Sequence, residues 1–465
     1  MRSSAPQGRS PRIVGLCILL LTVISNGDVL CSSASASPLP RGAEGTLRDA
    51  ALAGDTVAWN IVEGLTTEVG PRLAASDQEV RARTWAVDKL KSLGFRNVHV
   101  EPFEMPVWVR GAESAEIASP FPQKLVVAAL GNSSATAPGG ITGEVVAFDG
   151  LAALTAAPDA AVRGKIVFVT HHMTVQQAGG AYGENGPIRR SAPSIASSKG
   201  AIAIVIRSLG TDHHRMAHTG LTSWAAGVQP IPAAALSVPD AEQLSRVLSR
   251  GKPVTLHITL EAHADGTGQS GNVVAEVPGR DPSAGIILVG GHLDSWDEGT
   301  GAIDDAAGIS IVTAAAKRIM DAGQPRHTIR VVWFGAEEPG GIGGAAYARM
   351  HLSDKHVLVG ESDLGADRVW TFAMTANASG TPLADRLALA LEPLGITRGS
   401  APAQGDTDVE PMVAAGAPAI DLMQDATRYF DVHHTPDDTL DKIDPAQLRQ
   451  NVAAWTAVLA VTANE

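Results

Sequence analysis

A histidine and an aspartate two positions apart are the first residues in this 465-residue chain whose types and spacing could do chemistry. His292 and Asp294 follow the apolar run 286–289, and residues two apart on an extended segment project from the same side. The imidazole can then bind a metal ion while the carboxylate accepts its remaining N–H and fixes the tautomer. Taken alone, such a pair more often contains a structural histidine.

Two acidic pairs occupy comparable places further along the chain. Asp304 and Asp305 follow a glycine-rich loop and open a predicted helix, where aspartates also serve as helix caps; that simpler role suits Asp305. Glu337 and Glu338 follow the apolar run 329–334. Two adjacent carboxylates in a buried crevice repel each other unless a cation neutralises them, whereas on the surface they are an ordinary acidic pair.

Further donors lie towards the carboxyl end, where Asp363 follows the apolar run 356–360 and His434 follows His433. Ligands of α/β sheets bind at the carboxyl ends of the strands, which is where each of these candidates is predicted to lie. The combined set of carboxylate oxygens and imidazole nitrogens suits zinc.

Periodicity predicts the elements that position these residues. Residues 46–110 are predicted to be largely helical, with a cap at Ser76 or Asp77, a stop at Gly94 and a strand at 98–103. After residue 266 the pattern alternates between strands at 286–289 and 329–334 and a helix at 306–320. This alternation predicts an α/β fold with a mostly parallel central sheet flanked by helices.

The texture of the chain changes between residues 111 and 265. Short apolar runs at 125–130, 165–169 and 201–206 alternate with Gly, Pro and Ser clusters, and 254–260 has a period of two. We interpret 111–265 as a β-rich domain inserted into a catalytic domain formed by 37–110 and 266–465. The insert contains His213, His214 and His218, which we interpret as polar packing rather than a metal site.

The amino-terminal segment 1–36 is predicted to be a signal peptide, since three arginines precede the apolar run 13–24 and Ala34-Ser35-Ala36 offers a cleavage site. The protein is therefore expected to be secreted or periplasmic. Retention as a membrane anchor is the alternative, disfavoured by the shortness of the run. Both cysteines leave with this segment, so stability would come from the core and bound metal. The net charge of -13 without a basic stripe argues against nucleic-acid partners.

Taken in order, these motifs resemble those of the co-catalytic zinc exopeptidases, most closely the carboxypeptidase Q group. The matching segments are Gly290-Gly291-His292-Leu293-Asp294, Asp304-Asp305-x-x-Gly308, Ala336-Glu337-Glu338, Glu361-Ser362-Asp363 and His433-His434-Thr435. In the insert, the segments 163–169 and 198–206 resemble the protease-associated domain. The likeness spans nearly all of the chain after the signal segment.

The resemblance implies a role for each residue. Two zinc ions per chain would be held by His292, Asp304, Glu338, Asp363 and His434. Asp304 would bridge both ions, with His292 and Asp363 completing one site and Glu338 and His434 the other. Glu337 would act as general base, and Asp294 would orient His292. The resemblance also implies a homodimer that hydrolyses dipeptides or short peptides with free ends. Once the signal segment is removed, no stable membrane insertion is expected.

Several alternatives stay open. An aminopeptidase of the same family fits the motifs equally well, whereas a glutaminyl-cyclase-like transferase with one zinc, or a non-catalytic binding module, fits the complete ligand set less well. His433 takes the position where several co-catalytic enzymes have a tyrosine that helps to hold the oxyanion. Because neighbours on an extended segment point to opposite sides, His433 is expected to reach the substrate only if the loop turns there.

Overall fold

The computed structural model of the protein describes residues 37–465, so the predicted signal peptide and both cysteines lie outside the described residues. Within this range no helix combines the length and the apolar character that crossing a membrane requires. The described helices are α1 (Glu44–Gly54), α2 (Val57–Glu68), α3 (Asp77–Ser92), α4 (Gly150–Ala156), α5 (Asp159–Val162), α6 (Gly180–Ser198), α7 (Val238–Leu248), α8 (Ala307–Ala322), α9 (Ile342–His351), α10 (Pro382–Leu391), α11 (Glu410–Ala414) and α12 (Pro445–Thr462).

The described strands form three sheets. They are β1 (Arg96–Val109), β2 (Glu113–Ser119), β3 (Gln123–Leu125), β4 (Val127–Ala129), β5 (Ile141–Asp149), β6 (Ile166–Thr170), β7 (Ala203–Arg207), β8 (Ala233–Leu236), β9 (Thr255–Leu260), β10 (His263–Val277), β11 (Ile286–His292), β12 (Thr328–Phe334), β13 (His356–Glu361), β14 (Val369–Met374), β15 (Thr397–Arg398) and β16 (Ile420–Gln424).

The central sheet has the strand order β1-β10-β12-β11-β13. β11 pairs in parallel with both β12 and β13, whereas β10 pairs antiparallel with β12 and with β1. The predicted α/β class with a mostly parallel central sheet flanked by helices is confirmed. Of the five strands described in this sheet, β1, β11, β12 and β13 run in the same direction and β10 runs against them.

Both faces of the central sheet are buried. Ile287 and Val289 of β11 belong to the core beneath α8 and α12, while Leu288 between them packs in the opposite layer with Tyr347 of α9 and Met412 of α11. A strand covered on both faces needs an uninterrupted apolar run, which explains the sequence of β11 and β12. The carboxyl ends of the parallel strands therefore form one protected edge.

The second sheet takes its strands from residues 113–260 and has the order β3-β2-β9-β5-β6-β7-β8-β4. Its parallel strands β6 and β7 are covered by α6 on one face and α7 on the other. These helices were not part of the strand-based prediction. The boundaries of the inserted domain at 111 and 265 stay a prediction.

Local predictions are confirmed at the helix before Gly94 and at the strand that follows it, which is longer than predicted. The Ser76 hydroxyl caps α3 by accepting the backbone N–H of Glu79, and Gly94 adopts a φ of +92° after the helix. β1 runs well beyond the predicted 98–103 because it pairs with β10 from Arg96 to Val109. The predicted run 125–130 is divided into β3 and β4, which pair with different strands.

We predict that Gly308→Ala destabilises the protein, because Gly308 packs against the loop after β13. A Cβ at this position would lie 1.7 Å from the Ser362 carbonyl oxygen and 2.3 Å from Asp305 Oδ1. Relief of this overlap requires movement of α8, and overpacking of this kind costs about 1–3 kcal/mol in the free energy of unfolding. Denaturant unfolding measures the loss. Gly183→Ala in α6 is the matched control, since nothing lies within 4 Å of its added methyl group; an equal loss there would contradict the explanation.

Candidate metal centre

The candidate centre lies at the carboxyl ends of three neighbouring strands. His292 is the last residue of β11, Glu337 and Glu338 follow β12, and Asp363 follows β13. Asp304 lies on an irregular turn, Ala302–Ala306, that leads into α8. The structure therefore brings the predicted residues of the three strands and the turn to one place.

Asp304 stands between two sets of donors. Its Oδ1 is 2.9 Å from His292 Nε2, which is also 3.4 Å from Asp363 Oδ1. Its Oδ2 is 3.3 Å from His434 Nε2, which is 3.0 Å from Glu338 Oε2. Each oxygen of one carboxylate thus faces one of the two ligand sets that the resemblance implies.

The donor chemistry fits metal ions. Three groups of side chains place one donor atom each within 4.8 Å of the others: His292-Asp304-Glu338, His292-Asp305-Asp363 and Asp304-His433-His434. Asp304 Oδ2 and Asp363 Oδ1 are buried and without a hydrogen-bond partner among the described residues. Buried acceptors of this kind are costly unless a cation or a donor satisfies them, and His–carboxylate sets suit zinc. None of the three groups contains Glu337.

Asp294 contacts His292 through its backbone oxygen rather than through the carboxylate, which corrects the expected contact. His292 Nδ1 lies 2.9 Å from the backbone oxygen of Asp294, whereas its carboxylate oxygen is 3.8 Å away. The carboxylate instead accepts the backbone N–H groups of Glu337 at 3.0 Å and Glu338 at 3.3 Å. Asp294 therefore orients the imidazole through its main chain and holds the acidic turn through its side chain.

The Asp305 carboxylate serves the backbone, in keeping with the simpler role that its position suggests. It accepts the N–H of His292 at 3.0 Å and the N–H of Gly308 at 2.9 Å. The contact with Gly308 lies in the first turn of α8, and the contact with His292 fixes the end of β11. Asp305 thus links the strand that carries His292 to the helix that follows Asp304.

The loop that carries His434 does turn. His434 has a φ of +58°, and its ring stacks on the ring of His433 with the centroids 3.6 Å apart. As a result His433 Nε2 lies 3.5 Å from Asp304 Oδ2, on the same side as the predicted ligand. A left-handed conformation costs a non-glycine residue roughly 1–3 kcal/mol, so the surrounding contacts must hold it.

Electrostatics within the centre are dominated by burial and by the carboxylates that face the two imidazoles. Burial lowers the pKa of both His292 and His434, but the facing carboxylates outweigh it and raise each pKa well above its usual value. The same contacts hold the pKa of Asp304 well below its usual range. Burial and the neighbouring Asp363 and Glu338 raise the pKa of Glu337, which keeps part of its surface open to solvent.

Two residues that support the turn carry little signal of this role in the sequence. Arg72 is buried and donates to the carbonyl oxygens of Leu293, Thr300 and Gly301, which closes the loop between β11 and the turn. Asp438 accepts the N–H groups of Ala302 and Ile303, and burial raises its pKa to about 7. The hydrogen-bond partners of both residues are distant in sequence, so no local pattern indicates these contacts.

Residues of the predicted insert also reach the centre. Arg189 and Tyr182 of α6 lie beside the histidine pair: Arg189 Nη1 is 3.3 Å from His434 Nδ1, and the Tyr182 ring meets the His433 ring edge-on. His218 is buried against the His433 carbonyl, as polar packing predicts, while His213 and His214 are exposed. Sequence reasoning did not identify Arg189 or Tyr182. A cavity of about 210 Å³ opens nearby, lined in part by Ile303, Leu364 and Tyr429.

This fold and donor set define a metal-dependent hydrolase, and comparison with known proteins gives the family. Residues 272–459 match the family model "Peptidase family M28". The chain is 36% identical to Carboxypeptidase Q of Bos taurus over 86% of its own length and 84% of the relative. A peptidase M28 precursor from Shewanella amazonensis superposes with a TM-score of 0.88 at 46% identity, covering 91% of this chain and 96% of that one.

A zinc aminopeptidase from Bacillus subtilis shares the fold, with a TM-score of 0.63 at 20% identity over 87% of this chain and 94% of the other. The protein belongs to peptidase family M28, and it is a metallopeptidase, a hydrolase. The predicted resemblance is therefore confirmed at the level of family and fold.

We predict that zinc binding to the metal-stripped protein releases protons at neutral pH and weakens as the pH falls. Because the facing carboxylates raise the pKa of His292 and His434 well above its usual value, these rings carry protons that a metal ion must displace. Calorimetric titration in buffers of different ionisation enthalpy counts the released protons. An affinity that is unchanged between about pH 6 and about pH 8 would contradict the assignment.

Proposed function

We propose that the protein is an exported exopeptidase that hydrolyses dipeptides or short peptides at a centre of two zinc ions. The observation that carries the proposal is Asp304, whose two oxygens face His292 and His434 separately. One ion would be held by His292, Asp304 and Asp363, and the other by Asp304, Glu338 and His434. This arrangement favours a two-metal peptidase over a one-zinc transferase or a non-catalytic binding module.

Zinc bound there would supply a Lewis acid that polarises the scissile carbonyl and lowers the pKa of water towards about 7. Glu337 would accept the proton of the attacking water and return it to the leaving amine. Its raised pKa favours proton uptake, and its position outside the three donor groups leaves its carboxylate available. Asp294 would keep Glu337 in place through the main-chain N–H that it accepts.

His433 would lie at the substrate side of the bridging aspartate. The turn at His434 brings His433 Nε2 towards Asp304. The aromatic rings of Tyr182, Tyr429 and Phe430 surround the His433 ring. An imidazole N–H in this position could donate to the oxygen on which negative charge develops during hydrolysis. This is the role that the resemblance gives to a tyrosine in related enzymes.

The substrate class rests on the relatives. Similarity to Carboxypeptidase Q over most of the chain favours recognition of a free carboxyl terminus, while an aminopeptidase of the same family is the second candidate. Export rests on the predicted signal peptide, and a homodimer rests on the family resemblance. Small peptides would be the partners, and nucleic acid would not.

We predict that removal of metal abolishes dipeptide hydrolysis and lowers Tm, and that zinc restores both. Without metal, the buried carboxylates of the centre lack a compensating cation, and the described residues contain no cysteine that could form a disulfide. Activity is measured on dipeptides that are free, blocked at the amino terminus or blocked at the carboxyl terminus. Loss on blocking the carboxyl terminus alone identifies a carboxypeptidase, and the reverse an aminopeptidase. Full hydrolysis by protein shown to be metal-free by elemental analysis would refute the proposal.

We predict opposite phenotypes for the two adjacent glutamates. Glu337→Gln should retain both metals and lower kcat by about 100- to 10,000-fold, because the substitution removes only proton transfer. Glu338→Gln should instead weaken binding of the ion that His434 shares. Metal content and kcat, measured on the same preparations, separate the two effects. Equal loss of metal in both variants would show that the division of roles is wrong.

A further inference from the structure

The segment that carries His433 and His434 is held from outside the catalytic sheet. The His433 carbonyl oxygen lies 2.7 Å from His218 Nδ1, and the His434 carbonyl oxygen accepts the N–H of Thr219 at 3.0 Å. Both donors belong to the loop between β7 and β8 of the second sheet. The two contacts fix the peptide groups on either side of the His434 Cα, the position that has a φ of +58°.

His218 is itself braced. Its Nε2 lies 2.7 Å from Asp212 Oδ1, and neither side chain is exposed to solvent. Its own backbone N–H donates to the Ser208 hydroxyl at 2.8 Å. A Cβ on Gly210 would come within 2.2 Å of His218 Nε2 and 2.7 Å of Asp212 Oδ1, so the loop has no room for a side chain there. The Asp212–His218 pair is thus an ordered unit with one ring nitrogen committed to the His433 carbonyl.

We propose that Asp212 and His218 are positioning residues for the zinc ion that His434 would bind. His218 donates to the His433 carbonyl, Asp212 fixes the orientation of the His218 ring, and together with Thr219 they hold His434 in its left-handed conformation. The inference deepens the proposed function and rests on its two-zinc centre. It makes the inserted segment a working part of the site rather than only a neighbouring domain.

The effect should be confined to one of the two metal sites. His292 ends a strand of the central sheet, and Asp363 directly follows its parallel neighbour, so their positions depend on sheet pairing. Asp304 is fixed by the N–H contacts of Asp438 to its turn. His434 lies instead in a loop, where it adopts the left-handed conformation. The carbonyl groups on either side of its Cα are bound by His218 and Thr219 of the insert. Loss of the His218 contact should therefore weaken the Glu338–His434 site and spare the His292–Asp363 site.

A matched pair of substitutions at His218 tests this. In His218→Asn the side-chain amide takes the place of Nδ1 and can still donate to the His433 carbonyl, whereas in His218→Gln it takes the place of Nε2 and retains only the Asp212 contact. His213→Gln, in the same loop but exposed, is the control. We expect His218→Gln to weaken zinc binding at the Glu338–His434 site about 10- to 100-fold, the usual effect of losing a group that orients a ligand. His213→Gln should stay close to wild type, and His218→Asn, which keeps the donor to the His433 carbonyl but loses the Asp212 contact, should bind zinc at this site more tightly than His218→Gln and more weakly than wild type.

The readout is the dissociation constant of each zinc ion, measured by competition with chelators of graded affinity, with Tm of the metal-free proteins as the check on folding. The proposal is supported if His218→Gln weakens zinc binding at the Glu338–His434 site alone and the metal-free variant has the same Tm as the metal-free wild type. Equal affinities in His218→Gln and His218→Asn, or equal weakening of both zinc ions, overturn it. Wild-type protein that binds fewer than two zinc ions would refute the proposed function itself, which separates the two failures.

Discussion

The carboxylate of Asp304, buried between two imidazoles, is the interaction on which the rest of the site depends. Its oxygens face His292 on one side and His434 on the other, so it joins a strand of the central sheet to a loop near the carboxyl end of the chain. A buried charge is tolerated only when it is paired and hydrogen-bonded. The fold must therefore keep both imidazoles against it, and many of the contacts around the centre serve that requirement.

Hydrogen bonds from main-chain N–H groups to buried aspartates hold the segments around Asp304 in place. Asp294, Asp305 and Asp438 each accept two of these N–H groups. Five of these six N–H groups lie on segments that carry candidate ligands or Glu337, and the sixth, that of Gly308, lies in the first turn of α8. Two segments of the centre contain a non-glycine residue with a positive φ, Ala336 before the glutamate pair and His434 in the loop near the carboxyl end. Such conformations persist only where the surroundings over-determine them, and functional sites are where they accumulate.

The sequence predicted the α/β class and brought the donors to the ends of the right strands, because apolar runs with acidic or imidazole residues after them are local patterns. It did not predict the antiparallel pairing of β10, which depends on the ribbon with β1, or the main-chain role of the Asp294 carboxylate. His218 appeared in the sequence only as one of three histidines in a loop. Its contact with His433 joins residues 215 positions apart, and no local pattern encodes that distance.

The predicted insert brings the cationic side chain of Arg189 next to the histidine loop. Arg72 from the amino-terminal part donates to the Leu293 carbonyl, Arg189 of α6 lies against His434, and Arg110 pairs with Asp297. Arg189 donates to the Thr219 carbonyl and also lies against His434. Its guanidinium is therefore held beside His434 Nδ1, the ring nitrogen that would not bind the metal. A metal ion on His434 Nε2 requires the proton of that ring to be on Nδ1, where the Thr219 carbonyl at 3.3 Å is the acceptor. Arg189 then has to share that carbonyl rather than donate to the ring, so metal binding and the packing of the insert against the histidine loop are physically coupled.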